Sequence, residues 1–298
     1  MNRRGFLAVV AASALVLTGC SRAEVSTSTP ESPRVAALGL GDADTLLALG
    51  ITPVAVAPFS PEGSLPKNGL EPWSQELAKD KEITPIFNTA QGFTAQVLEK
   101  VTATNPSQIV AVNQAVDDQA KASLEKIAPL TLKPAGEKDW QIPWDKQVTT
   151  IAGAVGKSAE GEKLIKDTEQ AFATYRDKHP ELQGKKAAIV MPYAGKLGLY
   201  TSLDGRGQFI ESMGVTIPKE LQGSEGSFYV DIAPENYHTL EQVDVLYVLD
   251  YQGSAEPLKT DPAFATLLPK TKFVSQEVGN AMSTPNPVSI PWALEKLS

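Results

Sequence analysis

Cysteine and histidine are nearly missing from this chain: 298 residues hold one cysteine, Cys20, and two histidines, His179 and His238. A lone cysteine excludes an internal disulfide and a cysteine-ligated iron–sulfur cluster. Two histidines leave no basis for a histidine-rich zinc or copper cage. Positive charge is also short, with 27 Lys and Arg against 35 Asp and Glu and a formal net charge of −8. Nucleic-acid binding rests on cationic contacts with phosphates, so that class of partner is excluded. Catalytic signatures are missing too. There is no G-x-S-x-G elbow, no H-E-x-x-H and no P-loop. Ser64-Leu65-Pro66-Lys67 and Ser123-Leu124-Glu125-Lys126 both satisfy S-x-x-K, but no S-D-N or K-T-G accompanies them. Nothing brings together a nucleophile, a base and oxyanion donors, so no enzymatic activity is expected.

What is present begins with the surroundings of Cys20. Arg3-Arg4-Gly5-Phe6-Leu7 precedes an apolar stretch, Ala8 to Leu17, which leads into Leu17-Thr18-Gly19-Cys20. A charged start, a short apolar run and a small residue before a cleavage point are the anatomy of an export signal. The apolar run is shorter than the roughly 20 residues a membrane span requires. The tetrad resembles the bacterial lipobox, which implies that residues 1–19 are removed and Cys20 carries a lipid anchor to the membrane. Arg3-Arg4 is similar to a twin-arginine export motif. Losing residues 1–19 removes two arginines and no acid, which leaves the remainder still more acidic. Residues 20–33 are polar and rich in Ser, Thr and Pro, and read as a tether.

The body is expected to start at residue 34. Val35–Leu38 reads as a buried strand, Asp42 as the N-cap of a helix carrying Leu46, Leu47 and Leu49, and Gly50 as its stop. Strands over 54–57, 109–112 and 130–132 alternate with helices over 95–103 and from Asp117 or Asp118 to Ile127. This is an α/β lobe, 34–136, with a mainly parallel sheet. Residues 137–181 contain a helical stripe through Ile151, Val155, Leu164, Thr168, Phe172 and Tyr175. As one helix from about 145 it would be roughly 50 Å long and bridge two lobes. Two helices meeting near Gly156–Gly161 is the other arrangement open. Strands over 187–191, 197–201, 243–249 and 273–275, with helices over 206–213, 234–240, 262–268 and 289–297, then make a second α/β lobe, 182–298. Two lobes on either side of a helix leave a cleft, a common place for a small-molecule site.

Gly39-Leu40-Gly41-Asp42-Ala43-Asp44 follows a strand like a dinucleotide fingerprint. It lacks the third glycine, and two carboxylates would repel a pyrophosphate there. Aromatic residues instead gather in the loops: Trp73, Trp140, Trp144, Tyr193, Tyr200, Phe228, Tyr229 and Tyr251. They offer apolar area with a polar edge. Arg206 opens a helix after Asp204-Gly205, where a guanidinium faces either an anion or a neighbouring carboxylate.

Several blocks together resemble one family, the substrate-binding lipoproteins of iron–siderophore ABC importers, which also include vitamin B12 and haem binders. They are the run from Val35 to Gly50, Val97-Leu98-Glu99-Lys100 with Asn105 to Ala111, Lys126 to Pro129, Trp144 with Val148 to Gly156, Asp204 to Ile210, and Ile232-Ala233-Pro234-Glu235 with Val243 to Tyr247. Asn105-Pro106-Ser107-Gln108 departs from the family's usual Lys-Pro-Asp-Leu. The resemblance implies a class III periplasmic-binding fold, two α/β lobes on one long interlobe helix. It implies a monomeric receptor that takes a ferric siderophore to an ABC permease, with the iron carried by the siderophore and no metal or cofactor held by the protein. Expected ligand contacts are Trp73, Trp140, Tyr193, Tyr200, Arg206, Tyr229 and Tyr251. Glu99 and Glu235, one per lobe, match the family's permease-docking carboxylates. The alternatives are a haem or corrinoid receptor of the same fold, or an exported enzyme with a cofactor.

Overall fold

The computed structural model describes residues 33–298; Cys20, the export segment and most of the tether lie outside the described residues. The first sheet is built from β1 (Val35–Ala37), β2 (Ala55–Val56), β3 (Thr84–Pro85), β4 (Gln108–Ala111) and β5 (Leu130–Leu132). Its order is β3-β2-β1-β4-β5 and every pairing is parallel. A central parallel strand is covered on both faces, which explains why β1 is apolar throughout. Its residues alternate between two cores. Val35 and Ala37 join Leu46 and Leu47 of α1 (Asp42–Ala48), while Ala36 and Leu38 join Val97 and Val101 of α2 (Ala95–Ala103) and Leu124 of α3 (Asp118–Leu124). Thr94 and Asp117 cap α2 and α3 by accepting from the backbone N–H groups of Val97 and Ala120.

The helical stretch after β5 is two helices. α4 (Trp144–Ala154) ends at Val155, and α5 (Ser158–Lys178) starts after Gly156 adopts φ 70°. The continuous helix expected from about 145 is therefore corrected: the chain breaks at the glycine and α5 packs against α4. The contact is close, because a Cβ on Gly161 would lie 2.5 Å from that of Ala152. α5 is about 30 Å long. Near its start Leu164 packs on the first lobe's core, and near its end Phe172 and Tyr175 enter the second lobe's core.

The second sheet contains β6 (Ala187–Tyr193), β7 (Lys196–Tyr200), β8 (Tyr229–Ile232), β9 (Val245–Leu249) and β10 (Thr271–Val274), ordered β10-β9-β6-β7-β8. β6 and β7 form a hairpin through Ala194-Gly195, both at positive φ, as a tight two-residue turn requires. β7 pairs antiparallel with β8, and β10, β9 and β6 run parallel. α6 (Gly205–Ser212), α7 (Gln276–Ser283) and α8 (Ser289–Leu297) pack around it; Phe209, Met282 and Ile290 are among the core residues. The helices expected over 234–240 and 262–268 are 3-10 turns at Pro234–Gln242, Pro262–Phe264 and Leu268–Lys270. No described helix is long and apolar enough to cross a membrane.

Candidate ligand cleft between the two sheets

Loops leaving the carboxyl ends of parallel strands converge on one edge of a sheet, and ligands of open α/β sheets sit at that edge. Both sheets here contribute such loops to one cleft. From the first lobe come Leu40 after β1, Phe59 after β2, Asn113 after β4 and Trp140 after β5. From the second come Met191 of β6, Arg206 of α6, Asp250 and Tyr251 after β9, and Gln276 of α7. These residues line two adjoining cavities of about 240 and 190 Å³, which share Phe59, Arg206 and Ser283. A larger hollow of about 730 Å³ lies beside Arg34, Val54, Thr84 and Thr104. Those residues precede or start strands, so it belongs to the opposite edge of the first sheet and to one lobe alone.

Arg206 is held from three directions. Asp204, the N-cap of α6, accepts from the Arg206 backbone N–H at 2.8 Å. The same carboxylate takes Nε at 2.7 Å and Nη2 at 2.9 Å, a bidentate pair. The guanidinium carbon lies 3.6 Å from the centre of the Tyr200 ring. Burial works against the charge, but Asp204 and Tyr200 outweigh it and hold the Arg206 pKa above its ordinary value. Gly207 lets the start of α6 press on the carbonyl of Thr201, where a side chain would collide. Trp140 enters the cleft with φ 64°, a left-handed backbone that a bulky residue seldom adopts.

Behind the cavity wall lies a network of buried carboxylates. Asp42 is the first residue of α1. Its N-cap is Gly41, so the cap expected at Asp42 is corrected: the Asp42 side chain turns inward instead. It accepts from the backbone N–H groups of Gly39 (3.1 Å), Val112 (2.8 Å) and Asn113 (3.4 Å) and from Nε2 of Gln147 (2.7 Å). Asn113 and Gln147 both line the cavity, so Asp42 fixes part of its wall. Burial pushes the Asp42 pKa up to about 6, and the four donations limit the rise. Asp44 accepts from Trp73 Nε1 at 2.8 Å, from the Ser74 hydroxyl and from Asn286 Nδ2 at 2.8 Å. Glu71 takes the backbone N–H and the hydroxyl of Ser60, each at 2.8 Å, and Asn280 Nδ2 donates to that hydroxyl at 3.2 Å. Burial raises the pKa of Asp44 and of Glu71.

Among the expected ligand contacts, the structure brings Trp140, Arg206 and Tyr251 into the lining and sets Tyr200 beneath Arg206. Trp73 is elsewhere. It is 6% exposed, bonded to Asp44 and packed on Trp292 at 5.8 Å, which makes it a core residue rather than a cleft wall. Tyr193 lies outside the lining, bonded to Asp231 beside Lys196 at the β6–β7 hairpin. Tyr229 is also outside it, exposed on β8 with its ring 4.9 Å from that of Phe228. Phe228 itself lines the cavity, as do Phe59 and Met191. Phe59 follows an apolar strand and sits in Pro58-Phe59-Ser60-Pro61, a loop position whose sequence carries the cue. Glu99 is exposed on α2 and Glu235 is exposed at the start of the 234–242 turn. Among the described residues no group of three or more His, Cys, Asp or Glu could hold a metal ion.

The profile of the family described as periplasmic binding protein matches residues 35–269. The chain belongs to that family. Its two-lobed form is the class III fold of these binding proteins. The crystal structure of PiaA from Streptococcus pneumoniae TIGR4 in complex with ferrichrome superimposes with a TM-score of 0.75 at 27% identity, covering 90% of this chain and 92% of PiaA. YhfQ of Bacillus subtilis (strain 168), provisionally named an ABC transporter substrate-binding lipoprotein, is 35% identical over 156 residues; that match covers 51% of this chain and 44% of YhfQ. The Fe(3+)-citrate-binding protein YfmC of the same organism is 23% identical over 78% of this chain and 69% of its own length. The family and the fold are those of proteins that bind a substrate without transforming it.

Proposed function

We propose that this protein is an extracytoplasmic receptor that captures a ferric siderophore and passes it to an ABC permease. The observation that carries this reading is the cleft itself. An aromatic and apolar lining (Phe59, Trp140, Phe228, Met191) surrounds one anchored guanidinium, with no cluster of metal-ligating side chains among the described residues. Such a site suits a ligand that encloses its own iron and presents oxygens and carbon to the protein. The ferrichrome complex of PiaA and the name of YfmC support iron chelates as the ligand class.

The remaining parts follow from the sequence. Residues 1–19 direct export, through a twin-arginine route if Arg3-Arg4 is read as such, and Cys20 carries the lipid. Residues 20–33 are the tether, 34–136 and 182–298 the two lobes, and 137–181 the connection. The receptor works as a monomer, and Glu99 and Glu235 dock its lobes on the permease.

Tryptophan fluorescence tests the binding. Iron-loaded siderophores should quench Trp140 saturably, and iron-free forms should do so far more weakly. Silence toward the whole panel, or a Soret shift with haem alone, would overturn the reading. Reversing Glu99 and Glu235 to lysine should abolish uptake in cells and leave quenching unchanged; lost quenching would remove their docking role.

A further inference from the structure

We infer that the ligand is a ferric complex of neutral or positive net charge, of the tris-hydroxamate type, and that Asp204 sets this preference by neutralising Arg206. The inference rests on the receptor reading above and names the ligand class of the same cleft.

The charges facing the cleft are few. Arg206 is the cation of the lining, and Asp204 and Asp250 are its anions. The guanidinium and its carboxylate meet at 2.7 and 2.9 Å with side-chain exposures of 18% and 6%, so the pair acts as a dipole largely removed from water. Asp204 takes Nε and Nη2 of Arg206, so Nη1 lies outside that bidentate pair. Asp250 spends one oxygen on the Ala255 backbone N–H and carries no paired cation among the described residues. The groups behind the wall, Asp42 and Glu71, are acidic as well. Lys138 is not part of the lining; its ammonium comes close to Gly226, whose neighbour is Glu225. Even with Lys138 counted, cations do not outnumber anions.

Ligand charge follows from donor chemistry. Three hydroxamates, each singly negative, cancel the charge of Fe(III). Three catecholates, each doubly negative, leave a complex with about three negative charges, and ferric citrate is anionic as well. Moving such an anion from water into a cleft without surplus positive charge carries a desolvation penalty that no counter-charge offsets. A neutral or cationic complex meets no such penalty, and its carbon skeleton matches the aromatic lining.

The test titrates the full-length protein by tryptophan quenching with four ferric complexes: ferrioxamine B (a cationic trihydroxamate), ferrichrome (a neutral one), ferric enterobactin (a tricatecholate) and ferric citrate. The two hydroxamates should bind at least about 100-fold more tightly than the two anions. Asp204→Asn keeps the shape and an N-cap acceptor but releases the Arg206 charge. It should shrink the ratio by at least about tenfold, by strengthening the tricatecholate. Tricatecholate or citrate binding in the native protein that equals the hydroxamates overturns the charge inference and leaves the receptor intact. So does an unchanged ratio in a folded Asp204→Asn. No response to any of the four overturns the receptor reading and this inference with it.

Discussion

Asp42 is surrounded by donors only: three backbone N–H groups and the Gln147 amide. An acceptor-only side chain fits that place. Asp42→Asn would turn an NH2 toward one of those donors and should lower stability by about 1–3 kcal/mol at neutral pH, read from urea unfolding. Burial raises the native pKa from its ordinary 3.8 to about 6, so across that window the folded protein holds more proton than the unfolded chain. The resulting stability is complete below pH 3.8 and lost as pH rises through about 6. Carboxyl carbon NMR should show Asp42 titrating near 6; a midpoint below 4 would show that its hydrogen bonds outweigh burial. Trp140 yields a different expectation. Trp140→Ala should weaken ligand binding by about tenfold or more, while Trp140→Gly should weaken it equally with no loss of melting temperature, because glycine relieves the left-handed backbone. At this scale the sequence was half legible. Arg206 and its Asp204 neighbour could be read because they are two residues apart. Trp73 could not, because Asp44, its partner, lies 29 residues earlier and a loop tryptophan looks the same whether it faces a ligand or a core.

Elements with strong local cues were readable. α2 matches its expected span of 95–103, α8 its 289–297 and β5 its 130–132. Each has clear periodicity or clear boundaries. α7 was missed: Gln276–Ser283 holds a glycine and little apolar area. Yet Gly279 packs 3.3 Å from Leu249, measured from where its Cβ would be, and α7 lends Gln276, Gly279, Asn280 and Ser283 to the cleft. β8 is hidden in the sequence, because Tyr229 and Val230 follow a Ser- and Gly-rich run that reads as a loop. The break between α4 and α5 was visible as an alternative in Gly153, Gly156 and Gly161, but the packing that selects it was not. That packing can be tested. Gly161→Ala gains helix propensity, about 1 kcal/mol, and loses more by forcing Ala152 away. A net loss of about 1–2 kcal/mol in denaturant unfolding is expected; a gain would show that the two helices can separate.

Across the whole molecule, the two lobes are tied by more than α5. Asn286 donates to Asp44, Asn280 reaches Ser60, and Trp292 packs on Trp73. Each pair joins residues more than 200 positions apart, so no sequence window contains one. These ties, with the rigid α5, limit how far the cleft can close. Small-angle scattering should therefore show the same radius of gyration with and without ligand, within about 1 Å. Asn286→Ala leaves the buried Asp44 carboxylate short of a donor. It should destabilise the protein by about 1–3 kcal/mol and let a ligand-dependent change in radius appear.

The same ties bear on the order in which the chain can become native. Asp44 lies in the first helix of the first lobe, and its partner Asn286 comes 242 residues later in the chain. Trp73 and Ser74 serve Asp44 from within the amino-terminal lobe, but its third donor is missing until Asn286 arrives. Folding lobe by lobe during synthesis would leave this site one donor short until the second lobe forms. The first lobe therefore reaches its full stability only when the second lobe is folded against it.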